Sequence, residues 1–253
     1  MGIELQRASM WKRISAWLLD IILLSVLAVG AGALLSWILG YNSYNAALDA
    51  GFAQYEAQYG VVFDITSEEY AAMTDAEREN YDTAYNAMIQ DPEVLRNYNM
   101  VLNLTMVITT LGILIAYLVL EFAVPLLLGD GQTVGKKIFA LGLVRSDGVK
   151  MNNIQLFIRT VLGKFTVGTM IPVYVAIMLF FNIVGLPGTL LMAALMLTQI
   201  IMLSVTRNHT AIQDMLAGTV VVDISSQRIF RTTEELIEYT KRIHAERAER
   251  QPY

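Results

Sequence analysis

The 253-residue chain has no cysteine and only two histidines, His209 and His244. Without thiols there is no disulfide, no thiolate zinc site and no iron–sulfur cluster, and two imidazoles are a thin donor set for a transition metal. Charge is scarce too. Only 16% of residues are Asp, Glu, Lys or Arg, against about 25% in an ordinary soluble domain. A net charge of −5 offers no basic face to a nucleic acid. His209 and Asp214 have no serine or cysteine nucleophile at a recognisable spacing, so an enzyme is not expected. The run Gly129-Asp-Gly-Gln-Thr-Val-Gly135-Lys136 approaches a phosphate loop. It has Asp130 where that loop needs glycine and Lys137 where it needs Ser or Thr, and it follows an apolar run instead of a strand, so no nucleotide or other cofactor is expected.

Apolar residues are what the chain has in excess, at 55%. They cluster near positions 14 to 39, 101 to 128 and 166 to 205, each nearly free of charge for 20 or more positions, and about 18 such residues span a bilayer. The reading is a multi-pass membrane protein whose first partner is the lipid bilayer. The stretch from Ile14 to Leu39 is longer than a secretory apolar core and carries Asp20, which identifies an uncleaved first span.

Between the first two apolar runs, residues 41 to 99 form a polar insert with eleven acidic residues and two basic ones, Arg78 and Arg96. Thr66-x-x-Glu69 and Thr74-x-x-Glu77 predict helix starts, because hydroxyl and carboxylate reciprocally satisfy free amides of the first turn. Asp91-Pro92-Glu93 predicts a third, leading into the second span near Val101 to Leu128. The many tyrosines of the insert are expected to pack short helices and to sit at the lipid interface. Of the 18 Lys and Arg, three precede the first span, six lie between Gly129 and Lys164 and seven follow Ser204. By the positive-inside rule the insert is outside the cell, both termini are cytoplasmic, and the plasma membrane is the expected location. Residues 166 to 205 then cross an even number of times, turning at Gly185-Leu-Pro-Gly188, either as two full spans or as a re-entrant hairpin.

The expected fold is an all-α membrane protein, a four-span helical bundle with a small cytoplasmic β element and a helical outer insert. Its domains are a transmembrane domain over 1–224, interrupted by 41–99, and a cytoplasmic charged helical tail over 225–253. Ile138 to Arg145 and Val149 to Met151 flank the turn Ser146-Asp147-Gly148, and Thr219 to Asp223 is a second strand-like run. Asn152 to Lys164 reads as an interfacial amphipathic helix with Arg159 and Lys164 as its polar residues.

An ionised side chain within a span costs about 2.5–3.5 kcal/mol at the centre, so each calls for a partner or a job. Arg13 and Asp20 are seven residues apart and therefore share a helix face. Glu121 returns on the second span to the inner half of the membrane and is the expected neighbour of Asp20. Two close carboxylates could share or exchange a proton. The alternative is that these charges only lock helices together.

These residues carry a family resemblance. Arg13 and Asp20 in Trp-Lys-Arg-Ile-Ser-Ala-Trp-Leu-Leu-Asp resemble the arginine and first aspartate after which the RDD family of small membrane proteins is named. Thr133, Gly135 and Lys136 are similar to its Thr-x-Gly-Lys stretch, and Arg159 resembles an arginine that often follows. Gln213-Asp-Met-Leu-Ala-Gly-Thr, with Gly218 and Thr219, is similar to the closing motif and places the second aspartate at Asp214. The resemblance covers residues 7 to 39 and 101 to 224; the long insert departs from it. It implies either exchange of a monovalent cation for a proton or a non-catalytic scaffold that assembles with membrane proteins or with copies of itself.

Overall fold

The computed structural model describes residues 8–171, 173, 190, 193–194, 197–198, 212–225 and 229–250. The described chain is mostly helical, with one small sheet. Among the described residues, two helices are long and apolar enough to cross a membrane. The first, α1, is Met10–Ile38; its 29 residues rise about 43 Å, more than the roughly 30 Å hydrocarbon core. The second runs from Pro92 to Leu128, as α5 (Pro92–Tyr117), a π-helical segment (Leu118–Ala123) and α6 (Val124–Leu128). Trp11, Val26, Val29 and Trp37 of α1 are all well exposed, as suits side chains that face lipid, with the two tryptophans near the helix ends. Of the pair of spans expected over residues 166 to 205, only 166–171, 173, 190, 193–194 and 197–198 are described; the rest, with the turn at 185–188, lies outside the described residues.

The chain divides into two compact units. In Val29–Gly112 the insert is helical, with α2 (Tyr41–Tyr59), α3 (Ser67–Ala72) and α4 (Asp75–Gln90). Both predicted capping boxes form, Thr66 with Glu69 and Thr74 with Glu77. Asp91 accepts from the amides of Glu93 and Val94 at 2.7 and 3.3 Å and from the Tyr55 hydroxyl at 2.9 Å. Leu48, Met88 and Val94 make a small core. Phe63 packs edge-on against Tyr81 and Tyr85.

The other unit holds the start of α1 and everything after Gly112. Here α7 (Val134–Ile138) precedes β1 (Leu141–Arg145), which pairs antiparallel with β2 (Thr219–Asp223), Leu143 opposite Val221. The expected turn at Ser146-Asp147-Gly148 is present, with the Gly148 amide bonded to the Arg145 carbonyl at 2.9 Å. The strand begins at Leu141, later than the apolar run, because Ile138 closes α7. Leu141, Leu143 and Val221 join Ala16, Met151 and Leu156 in the core, so the sheet packs on the first span. Beyond the sheet, α10 (Thr233–Arg250) is the predicted charged tail helix.

The segment from Asn153 departs from expectation. Asn152 caps α8 (Asn153–Phe157), which continues into a second π-helix, Ile158–Met170. Its apolar Ile154, Phe157 and Leu162 are exposed, whereas Arg159 is buried. This is an interfacial helix turned inside out: the charges face protein and the apolar side faces outward, the stable arrangement where the solvent is lipid.

Candidate functional site

The site is assembled from five segments of the chain: α1, the first π-helical segment, α7, the second π-helix and the helix that carries Asp214. Thr133 is the N-cap of α7, its hydroxyl accepting from the Lys136 amide at 3.3 Å and donating to Asp20 Oδ2 at 2.5 Å. Asp20 Oδ1 accepts from the Gly135 amide at 2.8 Å. The carboxylate of the first span thus takes donors that the start of a short helix leaves free, which docks α1 on α7. A side chain at 135 would strike the Ala16 carbonyl and the Asp20 carboxylate; only glycine allows this approach.

Asp214 lies on α9 (Ile212–Ala217). Its Oδ1 accepts from Arg159 Nε at 2.9 Å and Nη2 at 2.5 Å, and its Oδ2 stands 3.9 Å from Arg13 Nη2. Arg159 and Asp214 are both essentially buried. The two segments touch closely, since a Cβ on Gly163 would overlap Gln213.

Glu121, on the first π-helical segment, is buried and bonded to Lys164, while Lys136 Nζ stands 3.9 Å from its other oxygen. The Thr160 hydroxyl donates to the Glu121 main-chain carbonyl at 2.9 Å. On an α-helix Arg159 and Lys164, five residues apart, would diverge by about 140°. The i→i+5 winding brings them to one side, where both meet acids. The hydroxyls of Thr166 and Thr169 follow the same register, donating to the carbonyls of Val161 and Lys164 five residues earlier.

These groups line a cavity of about 640 Å³, closed on another side by Ile14, Trp17, Ile21 and Leu24 of α1. Tyr117 and Thr169 share a hydroxyl hydrogen bond of 2.8 Å at its wall. Lys136 is buried, and its Nζ has no hydrogen-bond partner among the described residues. Burial pushes its ammonium down to about 7, although Glu121 beside it pulls the other way. Nearby, Lys12 reaches Asp223 Oδ2 at 2.6 Å, and that contact, with Ser225, holds the Asp223 carboxyl below its ordinary range. Among the described residues no group of three His, Cys, Asp or Glu is arranged to hold a metal.

The structure brings Arg13, Asp20, Glu121, Lys136, Arg159 and Asp214 to one cavity. The model of the RDD family matches residues 7–218. The chain belongs to the RDD family. Neither a curated protein nor a solved structure matches it significantly. Family and apolar helices together make it a membrane protein.

In this RDD protein the Arg and two Asp of the family name, as the motifs place them, serve different contacts. Asp20 holds α7, whereas Arg13 lies beside Asp214. Thr219 closes the short link after α9, its hydroxyl 3.5 Å from the Asp214 carbonyl, and Gly218 takes a left-handed φ of 63° between α9 and β2. Asp20 and Glu121, the expected neighbours, line the same cavity, and each has its own donors. Two bare acids side by side in low dielectric would repel, and separate donor sets remove that cost. The pairing of Lys164 with Glu121, and of Thr133 and Gly135 with Asp20, is not apparent from the sequence. The available signal was that a buried acid near the inner end of a span requires a donor from the basic segment that follows.

Proposed function

We propose that this RDD protein exchanges a monovalent cation for a proton at Glu121, with Lys136 giving up the proton. The charge count of the cavity carries the reading. Arg13, Lys136, Arg159 and Lys164 face three carboxylates, Asp20, Glu121 and Asp214. With Lys136 neutral the two signs balance. A cation arriving at Glu121 as Lys136 loses its proton therefore leaves the total charge of the buried cluster unchanged, avoiding the penalty of adding a further charge in low dielectric. The ordinary lysine value is far too high for such a step at cellular pH; a value of about 7 at Lys136 is not. Asp20 and Asp214, engaged by α7 and by Arg159, act as framework in this scheme.

The scheme includes four spans in the plasma membrane, cytoplasmic termini and an external insert, as the distribution of Lys and Arg favours. The cavity then lies at the inner end of the spans. The second reading, a scaffold binding other membrane proteins or a further copy of itself, draws on the exposed charged helix α10, whose Ile237 is exposed.

The test is proton flux in proteoliposomes carrying the full chain. A sodium or potassium gradient should drive counter-movement of protons, and cation affinity should rise as pH rises through about 7, because the ammonium of Lys136 is then lost. Lys136→Met and Glu121→Gln should each abolish the coupling in protein that still elutes as a folded species. Folded wild-type protein that moves no protons under either gradient would overturn exchange and leave the scaffold.

A further inference from the structure

The cavity has two unlike walls. One is charged. The other is formed by Ile14, Trp17, Ile21 and Leu24 of α1, of which Trp17 is 54% and Ile21 39% exposed. On a membrane protein that exposure is to acyl chains, so this wall is continuous with the lipid-facing surface of the first span.

At the charged wall, cations exceed carboxylates by one. The unmatched group is identifiable: Lys136 is 7% exposed, its Nζ is buried and donates to nothing among the described residues, and Glu121 at 3.9 Å is beyond hydrogen-bond reach. A buried ammonium without an acceptor is costly, and the ligand that would relieve it brings one negative charge and several acceptor oxygens. A phosphate group does both, and the apolar wall suits a chain attached to it.

We infer that the cavity binds an anionic phosphate group, with its oxygens on Lys136 and, when it is the headgroup of an inner-leaflet lipid, with the acyl chain leaving along Trp17 and Ile21. The site does not depend on ion exchange. Where exchange occurs, a bound phosphate competes with it by holding Lys136 as the ammonium.

Trp17 reports on the site. The full chain has three tryptophans, and replacing Trp11 and Trp37 by Phe leaves Trp17 alone. In neutral detergent, short-chain phosphatidylglycerol brominated on its acyl chains should quench Trp17 at about tenfold lower concentration than the matching zwitterionic phosphatidylcholine. Lys136→Gln should erase that preference, Lys136→Arg should keep it, and Lys137→Gln, at an exposed neighbour, should leave it unchanged. Inorganic phosphate that reverses the quenching identifies the free anion as a sufficient ligand; phosphate that does not identifies the lipid. Equal quenching by the two lipids in the wild-type background overturns the site, as does an unchanged preference in Lys136→Gln. If Lys136→Gln does not fold, the wild-type comparison and Lys136→Arg still decide.

Discussion

In the unit Val29–Gly112 the acidic residues lie mostly at the surface and find donors close by in sequence. Glu69 and Glu77 each bond back to the threonine three residues earlier, and Asp91 takes the amides two and three residues on. These contacts hold the Glu77 and Asp91 carboxyls below their ordinary values. Around the cavity the acids are drawn from across the chain: Asp20 meets donors 113 and 115 residues away, Asp214 one 55 away and Glu121 one 43 away. The difference follows from solvent. An exposed carboxylate needs little from the protein because water completes its shell, whereas a buried one must gather several donors, and one local turn cannot supply them.

The comparison breaks most visibly at Arg159. Arg159→Ala leaves Asp214 buried with Arg13 at 3.9 Å and should destabilise the fold by about 3–5 kcal/mol, seen as a large fall in the thermal midpoint in detergent. Arg96→Ala, which loses only an exposed pair with Glu93, should not move that midpoint measurably. Equal effects would erase the distinction between the two regions.

A smaller loss is expected at Gly135. Gly135→Ala forces a methyl group against Ala16 and Asp20 and should cost about 1–3 kcal/mol. Hydrogen exchange should rise in both α1 and α7, since one contact holds both; protection lost from α7 alone would show that Asp20 does not dock the first span. The smallest effect is local. Thr74→Ala removes the cap of α4 at about 1 kcal/mol, and exchange should increase at the start of α4 with the cavity segments unchanged.

The features legible in sequence are those that a few adjacent residues settle. Thr74 with Glu77, Asp91 before Pro92, and the turn at Asp147-Gly148 each close their own hydrogen bonds within four positions. The apolar length of α1 is equally self-contained. Lys164 was not legible as a partner of Glu121, because α-helical geometry places it away from Arg159 and the π winding that corrects this is held by packing and by Thr160, Thr166 and Thr169. The role of Thr133 was hidden for a related reason: a threonine cap predicts a helix start but not which distant acid its hydroxyl will reach.

The sequence by itself determined where the chain is apolar enough for a bilayer, where helices begin, and that several charges would have to be sheltered. Tertiary structure alone decided which acid each cation meets, and that Lys136 is left without an acceptor among the described residues. The physical reason is range: hydration and capping act over a few residues, whereas the partners of a buried charge are chosen by how segments pack in three dimensions.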